Sequence, residues 1–173
     1  MGPNSTARLK LVHPGLSRRI YVLESQMSVP IGIVQGFRKA DEQLALWAQG
    51  RMSLDQVNVL RVGVGWSALL DADNKETVTK ARPGYSWHEF GLAVDAVPED
   101  AITFAPDWND SHPVWKEMIE KGKAQGLTSG QSFQDMPHFQ LPGRFPVTPD
   151  DEVREIYHTG GLQAVWQASG IAA

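Results

Sequence analysis

Residues 86–95 read SWHEFGLAVD and combine an imidazole, at His88, with a carboxylate, at Asp95. The two side chains stand seven positions apart with Gly91 between them, which is too far for neighbouring turns of one helix. The pattern instead predicts a loop that runs into a strand at residues 92–98. Asp95 then lies in the middle of an apolar strand, where a half-buried carboxylate needs a partner or a metal ion.

A second segment, DMPH at residues 135–138, adds another carboxylate and another imidazole. A hydrolytic zinc site has three nitrogen or oxygen ligands, an open position for water and a carboxylate base. His88, Asp95 and His138 are therefore candidate zinc ligands, and Asp135 is a candidate base for the attacking water. The alternative, which composition alone favours, is a surface His88, a paired core acid at Asp95 and an ordinary loop acid at Asp135.

The composition limits the class of protein. The chain has 173 residues, of which 42% are hydrophobic and 21% charged, and this is typical of a globular domain with a core. It has no cysteine, so any metal must be held by histidine and carboxylate. The net charge of -4, without a basic block, argues against nucleic-acid binding. No apolar run approaches the length of a transmembrane helix, so membrane insertion is not expected.

Periodicity and turn signals predict alternating helices and strands without internal repeats. The predicted helices are residues 15–27, 39–50, 53–61, 111–126, a region from residue 148, and a second short helix at residues 160–170. The predicted strands are residues 29–37, 77–81, 92–98 and 138–142. This order indicates one α+β domain that spans residues 1–173.

Three blocks of the sequence resemble a known family. SWHEFGLAVD is similar to the SxHxxGxxxD motif of the zinc D-alanyl-D-alanine carboxypeptidases and L-alanyl-D-glutamate endopeptidases, the VanY-like peptidases. Asp135 and His138 match its second motif, a carboxylate followed by two residues and a histidine. The block QGFRKADEQLALWAQGR (residues 35–51) resembles its upstream motif. The likeness covers roughly residues 29–141 and is closest to the phage-endolysin L-alanyl-D-glutamate peptidases.

The resemblance implies a fold and a metal centre. The fold is α+β, with a small central antiparallel sheet flanked by helices, as in D,D-peptidases and hedgehog-type domains, and residues 148–170 form a helical C-terminal extension. The metal is Zn2+, with His88, Asp95 and His138 as ligands, and Asp135 is the catalytic base.

The resemblance also assigns residues to the substrate. Arg38 polarises the scissile carbonyl and stabilises the oxyanion, a task that suits its fixed charge and forked donors. Gln43 and Ser86 bind the carboxylate or backbone of the substrate. Taken alone, Arg38 is a salt-bridging surface residue, Gln43 an exposed helix position and Ser86 a turn residue.

The second motif departs from the family pattern. Many relatives carry glutamate and tryptophan there, whereas this chain has Asp135, Met136 and Pro137. Aspartate is one methylene shorter, so the backbone must bring the carboxylate close, and the Pro137 turn can do this. The same replacement occurs in the endopeptidase branch, which points towards that branch.

The resemblance implies a zinc-dependent peptidoglycan hydrolase that cuts stem peptides between L-alanine and D-glutamate and acts as a monomer. A D,D-carboxypeptidase or dipeptidase acting on D-Ala-D-Ala is the first alternative, and a zinc-bearing binding module without turnover is the second. The N-terminal residues lack the layout of a secretory signal. We therefore expect synthesis in the cytoplasm, followed by release to the cell wall during phage lysis or by a role in cytosolic wall recycling.

Overall fold

The strand expected after Gly91 forms and lies inside a four-stranded antiparallel sheet. The computed structural model describes residues 1–172. The strands are β1 (Ile31–Gln35), β2 (Ala93–Pro98), β3 (Thr128–Ser129) and β4 (His138–Gln140), in the spatial order β1-β2-β4-β3. The predicted α+β class with a small antiparallel sheet is confirmed.

The register of the sheet brings the two motifs together. Asp95 of β2 pairs with His138 of β4 on one side and with Gln35 of β1 on the other. The register between β1 and β2 shifts between Ile33 and Gln35, a bulge-like irregularity at the point where β1 ends. The end of β1, the middle of β2 and the start of β4 therefore converge on one spot.

Within residues 1–172, six helices and three short 3-10 turns accompany the sheet. The helices are α1 (Pro3–Leu9), α2 (Pro14–Gln26), α3 (Ala40–Ala48), α4 (Leu54–Gly63), α5 (Pro113–Ala124) and α6 (Asp151–Ala168), and the turns are Asp71–Asn74, Trp87–Phe90 and Gly130–Phe133. Ser53 and Gln56 form the expected reciprocal capping box at the start of α4. No helix within residues 1–172 is both long and apolar enough to cross a membrane.

Two apolar clusters hold these elements. The larger one packs α1, α2 and α5 against the sheet through fully buried side chains such as Leu16, Ile20 and Met118. The smaller one joins the turn Trp87–Phe90 to α6, with Val153 and Val165 buried against Trp87 and Phe90. The turn that carries His88 is thus supported by a helix outside the region of family resemblance.

The ends of α6 follow the sequence signals. Asp150 caps the helix by accepting the Val153 N–H at 3.1 Å, and Asp151 and Glu152 occupy its first turn. Gly161 has non-helical dihedral angles (φ 68°, ψ -164°) inside α6. The two helical segments predicted on either side of the Gly160–Gly161 pair are therefore confirmed as two parts of one kinked helix.

Other predictions differ from the structure. The strand at residues 77–81 is wrong: this segment is irregular and largely exposed, and it pairs with no strand in residues 1–172. β-Branched residues favour strands only where a sheet edge is available to pair with them. The sequence reading also missed α1 and the two-residue β3, because both are too short to show a hydrophobic period.

Candidate metal centre and active-site cleft

The turn Trp87–Phe90 presents His88 from a tightly held backbone. Gly91 closes the turn in the left-handed conformation (φ 62°), and a Cβ atom there would lie 3.0 Å from the Trp166 ring. The His88 carbonyl accepts the Arg38 N–H at 3.1 Å, which ties the turn to the end of β1. Trp166 donates its indole N–H to the Phe90 carbonyl at 2.8 Å.

Three potential ligand atoms form a nearly equilateral triangle. Asp95 Oδ1 lies 3.2 Å from His88 Nε2 and 3.3 Å from His138 Nδ1, and the two nitrogens are 3.2 Å apart. Tetrahedral zinc with bonds of 2.0–2.1 Å separates its ligand atoms by about 3.3–3.4 Å. The three atoms predicted from the sequence therefore meet at the spacing that a tetrahedral ion requires.

The remaining imidazole nitrogens fix the orientation of the rings. His88 Nδ1 lies 2.8 Å from the Gly36 carbonyl, and His138 Nε2 lies 3.0 Å from Gln140 Oε1. Because these acceptors take the N–H groups, the other nitrogen of each ring turns a lone pair towards Asp95. Asp95 Oδ1 is buried without a hydrogen-bond partner among the residues that the structure describes. Two lone pairs and an orphaned carboxylate oxygen fit a cation.

The electrostatics of the triangle also call for positive charge. Burial alone raises the pKa of Asp95, but its close contacts with His88 and His138, which attract the carboxylate when they carry a proton, hold that pKa well below its usual range. Burial lowers the pKa of His138, whereas its contact with Asp95 outweighs burial and raises that pKa. The Asp95 carboxylate is thus stable here only beside protons or a metal ion.

Asp135 lies at the rim of this triangle. Its Oδ2 atom is 4.0 Å from His138 Nδ1, and 49% of its side chain is exposed. The Asp135 N–H donates to the Gly130 carbonyl at 3.0 Å, and its carbonyl accepts the His138 N–H at 3.2 Å. Burial, followed by the charge of Asp95, raises the pKa of Asp135. A carboxylate with a raised pKa, open to solvent beside the ligands, is suited to accept and return a proton.

Arg38 approaches the triangle from the other side. Its side chain is 9% exposed, and Nη2 lies 3.9 Å from Asp95 Oδ2. Nη1 donates to Gln43 Oε1 at 2.8 Å, and Gln43 Nε2 donates to the Ala81 carbonyl at 2.6 Å. Gln43 is fully buried, so it is not the exposed helix position that the residue alone suggests, and its amide orients Arg38. Its predicted binding of the substrate carboxylate or backbone stays a prediction.

Ser86 lies at the start of the turn that carries His88. It immediately precedes Trp87, is 9% exposed, and its carbonyl accepts the Glu89 N–H at 3.0 Å. The structure therefore brings Ser86 beside the turn that carries His88, and its contact with substrate stays a prediction.

The sequence reading missed three supporting residues. Gln140, which holds His138, follows that ligand by two positions in a strand, and the alternation of strand faces was the available signal. Glu89 is buried, accepts the Gly84 N–H at 2.9 Å, and has a pKa raised by its burial. Gly130 has no sequence signal, yet a Cβ atom there would lie 2.2 Å from the Asp135 carbonyl oxygen.

Comparisons with known proteins find a matching family model and similar chains. The family model VanY, D-alanyl-D-alanine carboxypeptidase, matches residues 18–134, a range that ends just before Asp135. The peptidoglycan L-alanyl-D-glutamate endopeptidase CwlK of Bacillus subtilis (strain 168) is 25% identical over 142 residues, which cover 75% of this chain and 73% of CwlK.

A solved structure shows the same fold. The Serratia marcescens L-Ala D-Glu endopeptidase ChiX superposes with a TM-score of 0.51 at 23% identity, over 83% of this chain and 90% of ChiX. The structural likeness concerns the fold, whereas the family model matches well over half of the sequence. The chain therefore belongs to the VanY family of D-alanyl-D-alanine carboxypeptidases.

Proposed function

We propose that the protein is a zinc-dependent peptidoglycan endopeptidase that cleaves the stem peptide between L-alanine and D-glutamate. The observation that carries the proposal is the triangle of His88 Nε2, Asp95 Oδ1 and His138 Nδ1, with sides of 3.2–3.3 Å and an open rim at Asp135. Support for the substrate comes from CwlK, whose name gives this bond and which aligns with three quarters of the chain.

Each side chain then has a defined task. A zinc ion held by His88, Asp95 and His138 would supply Lewis-acid polarisation and lower the pKa of water. Asp135 takes the proton from the attacking water and returns it to the leaving amine nitrogen. Arg38 donates hydrogen bonds to the carbonyl oxygen as negative charge develops on it, and Gln43 keeps the guanidinium in place. Ser86, which immediately precedes the histidine turn, binds the carboxylate or backbone of the substrate.

Two other functions remain testable. The description of the VanY family favours a D,D-carboxypeptidase, which would release D-alanine with the same residues. A binding module without turnover would need neither a base nor a cation beside the metal. The presence of Asp135 at 4.0 Å from His138 Nδ1 and of Arg38 at 3.9 Å from Asp95 supports catalysis.

Digestion of purified peptidoglycan, with product identification by mass spectrometry, separates these functions. We expect fragments that end in L-alanine, new amino-terminal D-glutamate, and loss of both after chelation of the metal. Release of D-alanine alone would assign the carboxypeptidase. A folded, zinc-loaded protein that releases no fragment from several wall types would rule out turnover.

The setting is part of the proposal. We place the whole chain, residues 1–173, in one catalytic domain that acts as a monomer, because one chain supplies every group of the site. Light scattering should give a mass near 19.1 kDa. Release during phage lysis predicts that expression in a bacterial host together with a holin lyses the culture, and that Asp135→Asn abolishes this lysis.

A further inference from the structure

The segment at residues 77–88, called the wall below, connects to the proposed reaction centre at two points. At one end, the Ala81 carbonyl accepts a hydrogen bond from Gln43, whose amide also holds Arg38. At the other end, the segment passes through Ser86 into the turn that carries His88. Arg82 directly follows Ala81, whose carbonyl holds the amide that positions Arg38, and it precedes the histidine turn by a few residues.

Arg82 is held in place by an aromatic ring. Its guanidinium carbon lies 4.1 Å from the centre of the Tyr85 ring, and its Nη2 donates to the Tyr85 hydroxyl. The guanidinium carbon of Arg154 also lies 4.1 Å from the same ring centre. The Tyr85 ring therefore makes a cation–π contact with both arginines.

The two arginines use their donors differently. Arg154 donates to the carbonyls of Gly84 and Pro149 at 3.4 and 3.0 Å, and it is paired with Asp151. Arg82 is exposed, and its bond to the Tyr85 hydroxyl is the one hydrogen bond that its side chain makes within residues 1–172. Arg154 thus anchors the Tyr85 ring to α6, while Arg82 presents fixed, available N–H groups to solvent.

The charge of Arg82 has no acid beside it in the wall. Residues 77–88 read TVTKARPGYSWH, with two basic residues and no acidic one. The next acid along the chain, Glu89, is buried and directed at the Gly84 N–H. A guanidinium that is already oriented, unpaired and forked matches the geometry of a carboxylate and loses little side-chain freedom on binding it.

We propose that Arg82 is a specificity-determining residue that binds the free carboxylate of the substrate residue on the leaving side of the scissile amide. This inference rests on the proposed function, in which that residue is a glutamate whose amine belongs to the scissile amide, while one of its two carboxyls continues the peptide and the other is free. The enzyme then prefers stem peptides whose carboxylate is free over those in which it is a carboxamide, because the amide is uncharged and places a donor where Arg82 needs an acceptor.

The test compares three synthetic stem peptides with the full-length zinc-loaded protein. One has all carboxylates free, one carries a carboxamide on the residue after the scissile bond, and one carries it at the C-terminus. We expect kcat/KM of the wild type to be about tenfold to a hundredfold higher for the first peptide than for the second, mainly through KM. The third peptide should be cleaved like the first.

Variants of Arg82 distinguish a role in substrate recognition from a role in stabilising residues 77–88. Arg82→Gln should lower kcat/KM for the free carboxylate by about tenfold or more and for the carboxamide by less than about threefold, so that the preference disappears. Arg82→Lys should retain part of the preference for the free carboxylate, because it keeps the positive charge. Arg18→Gln removes an exposed arginine from α2 and should keep the preference. Equal losses on both peptides in Arg82→Gln, or a wild type without preference, would overturn the proposal.

Binding measurements test the role of Arg82 separately from the proposed function. The affinities of the same peptides for zinc-loaded Asp135→Asn and for the double variant with Arg82→Gln are measured by calorimetry. Tighter binding of the free carboxylate that depends on Arg82 supports the proposal even if the wild type cleaves nothing, which would reject only the proposed function. Cleavage without this discrimination rejects the role of Arg82 alone. If the carboxamide at the C-terminus of the third peptide weakened its binding instead, Arg82 would contact the C-terminal carboxylate. That result would also reject the assignment of Arg82 to the residue after the scissile bond.

Discussion

Asp95 Oδ1 connects two imidazole nitrogens, and three protein ligands are the minimum for a hydrolytic zinc site. We expect His88→Ala to lose zinc, whereas Asp135→Asn should keep about one zinc per chain, because Asp135 lies outside the triangle. Turnover of Asp135→Asn should fall by about 10²–10⁴ through loss of proton transfer. Zinc content is measured by plasma mass spectrometry after removal of free metal.

Asp110→Asn provides the matched control for this prediction. Asp110 is an exposed acid of the loop before α5, so the same change in charge there should alter neither zinc content nor turnover. Loss of zinc from Asp135→Asn would make Asp135 a ligand and contradict its assignment as the base.

Gln43 offers a second prediction at the scale of single residues. Gln43→Leu removes the acceptor of Arg38 Nη1, and a buried guanidinium without that acceptor is free to leave its position. We expect kcat to fall by about tenfold or more with little change in KM and with zinc retained. The measurement is a steady-state comparison at a temperature where the variant is fully folded.

Gln49→Leu tests whether this effect is specific. Gln49 is also buried on the same stretch of chain and donates to the Asp73 carbonyl at 2.7 Å, away from Arg38. Both variants should lose stability, but only Gln43→Leu should lower kcat. A similar fall in kcat for both would show that Gln43 acts through the general stability of the region.

Among the elements, the turn Trp87–Phe90 depends most on a glycine. Gly91→Ala adds left-handed strain and a Cβ atom 3.0 Å from the Trp166 ring. Gly65→Ala adds similar strain (φ 81°) with no atom within 4 Å of the new Cβ. We expect Gly65→Ala to cost about 1–2 kcal/mol of unfolding free energy and Gly91→Ala to cost more. Urea unfolding of the metal-free variants measures both unfolding free energies. Equal losses of stability would show that the Trp166 ring moves away from the new Cβ atom without an energetic cost.

Some sequence signals were sufficient to predict helices and strands, and others were not. β2 was predictable because an apolar β-branched run is bounded by Gly91 and Pro98, and α5 because Trp115, Met118 and Ile119 share one face. The strand predicted at residues 77–81 failed because propensity is local, whereas pairing depends on distant strands. The packing of α6 against the histidine turn has no signal in either segment, since it depends on the complementary shapes of distant surfaces.

For the whole molecule, metal binding and stability are linked. Zinc that binds the folded state at about 1,000 times its Kd adds about 4 kcal/mol to the unfolding free energy. For a chain of this size that corresponds to a rise in Tm of about ten degrees. We expect a chelator to lower the Tm of the wild type by this amount and to leave His88→Ala unchanged, as measured by calorimetry. Acidification should diminish the zinc-dependent part, because protonated imidazoles cannot bind metal. A wild-type Tm that does not change with zinc would contradict the proposed metal site.

The sequence predicted the metal ligands of the candidate site, but it did not predict the residues that hold those ligands in place. Residue type and spacing were enough to propose His88, Asp95 and His138, because few residue types bind metal and the family motifs place them in order. The same pattern could not show that Gln43 is buried behind Arg38, or that Gln140 and the Gly36 carbonyl fix the two rings. Those contacts follow from the sheet register and from the bulge where β1 ends, and neither is encoded in a local pattern.

The hydrogen bond from Trp166 to the Phe90 carbonyl has a consequence for biosynthesis. A ribosome makes His88, Asp95 and His138 before it makes Trp166, so the nascent chain carries all three ligands before the helix that supports their loop exists. His13, whose N–H donates to the Gly91 carbonyl at 2.8 Å, must meet the same loop across many residues of intervening chain. Contacts this distant in sequence form late, so the chain completes its metal-binding loop only after the last helix has emerged.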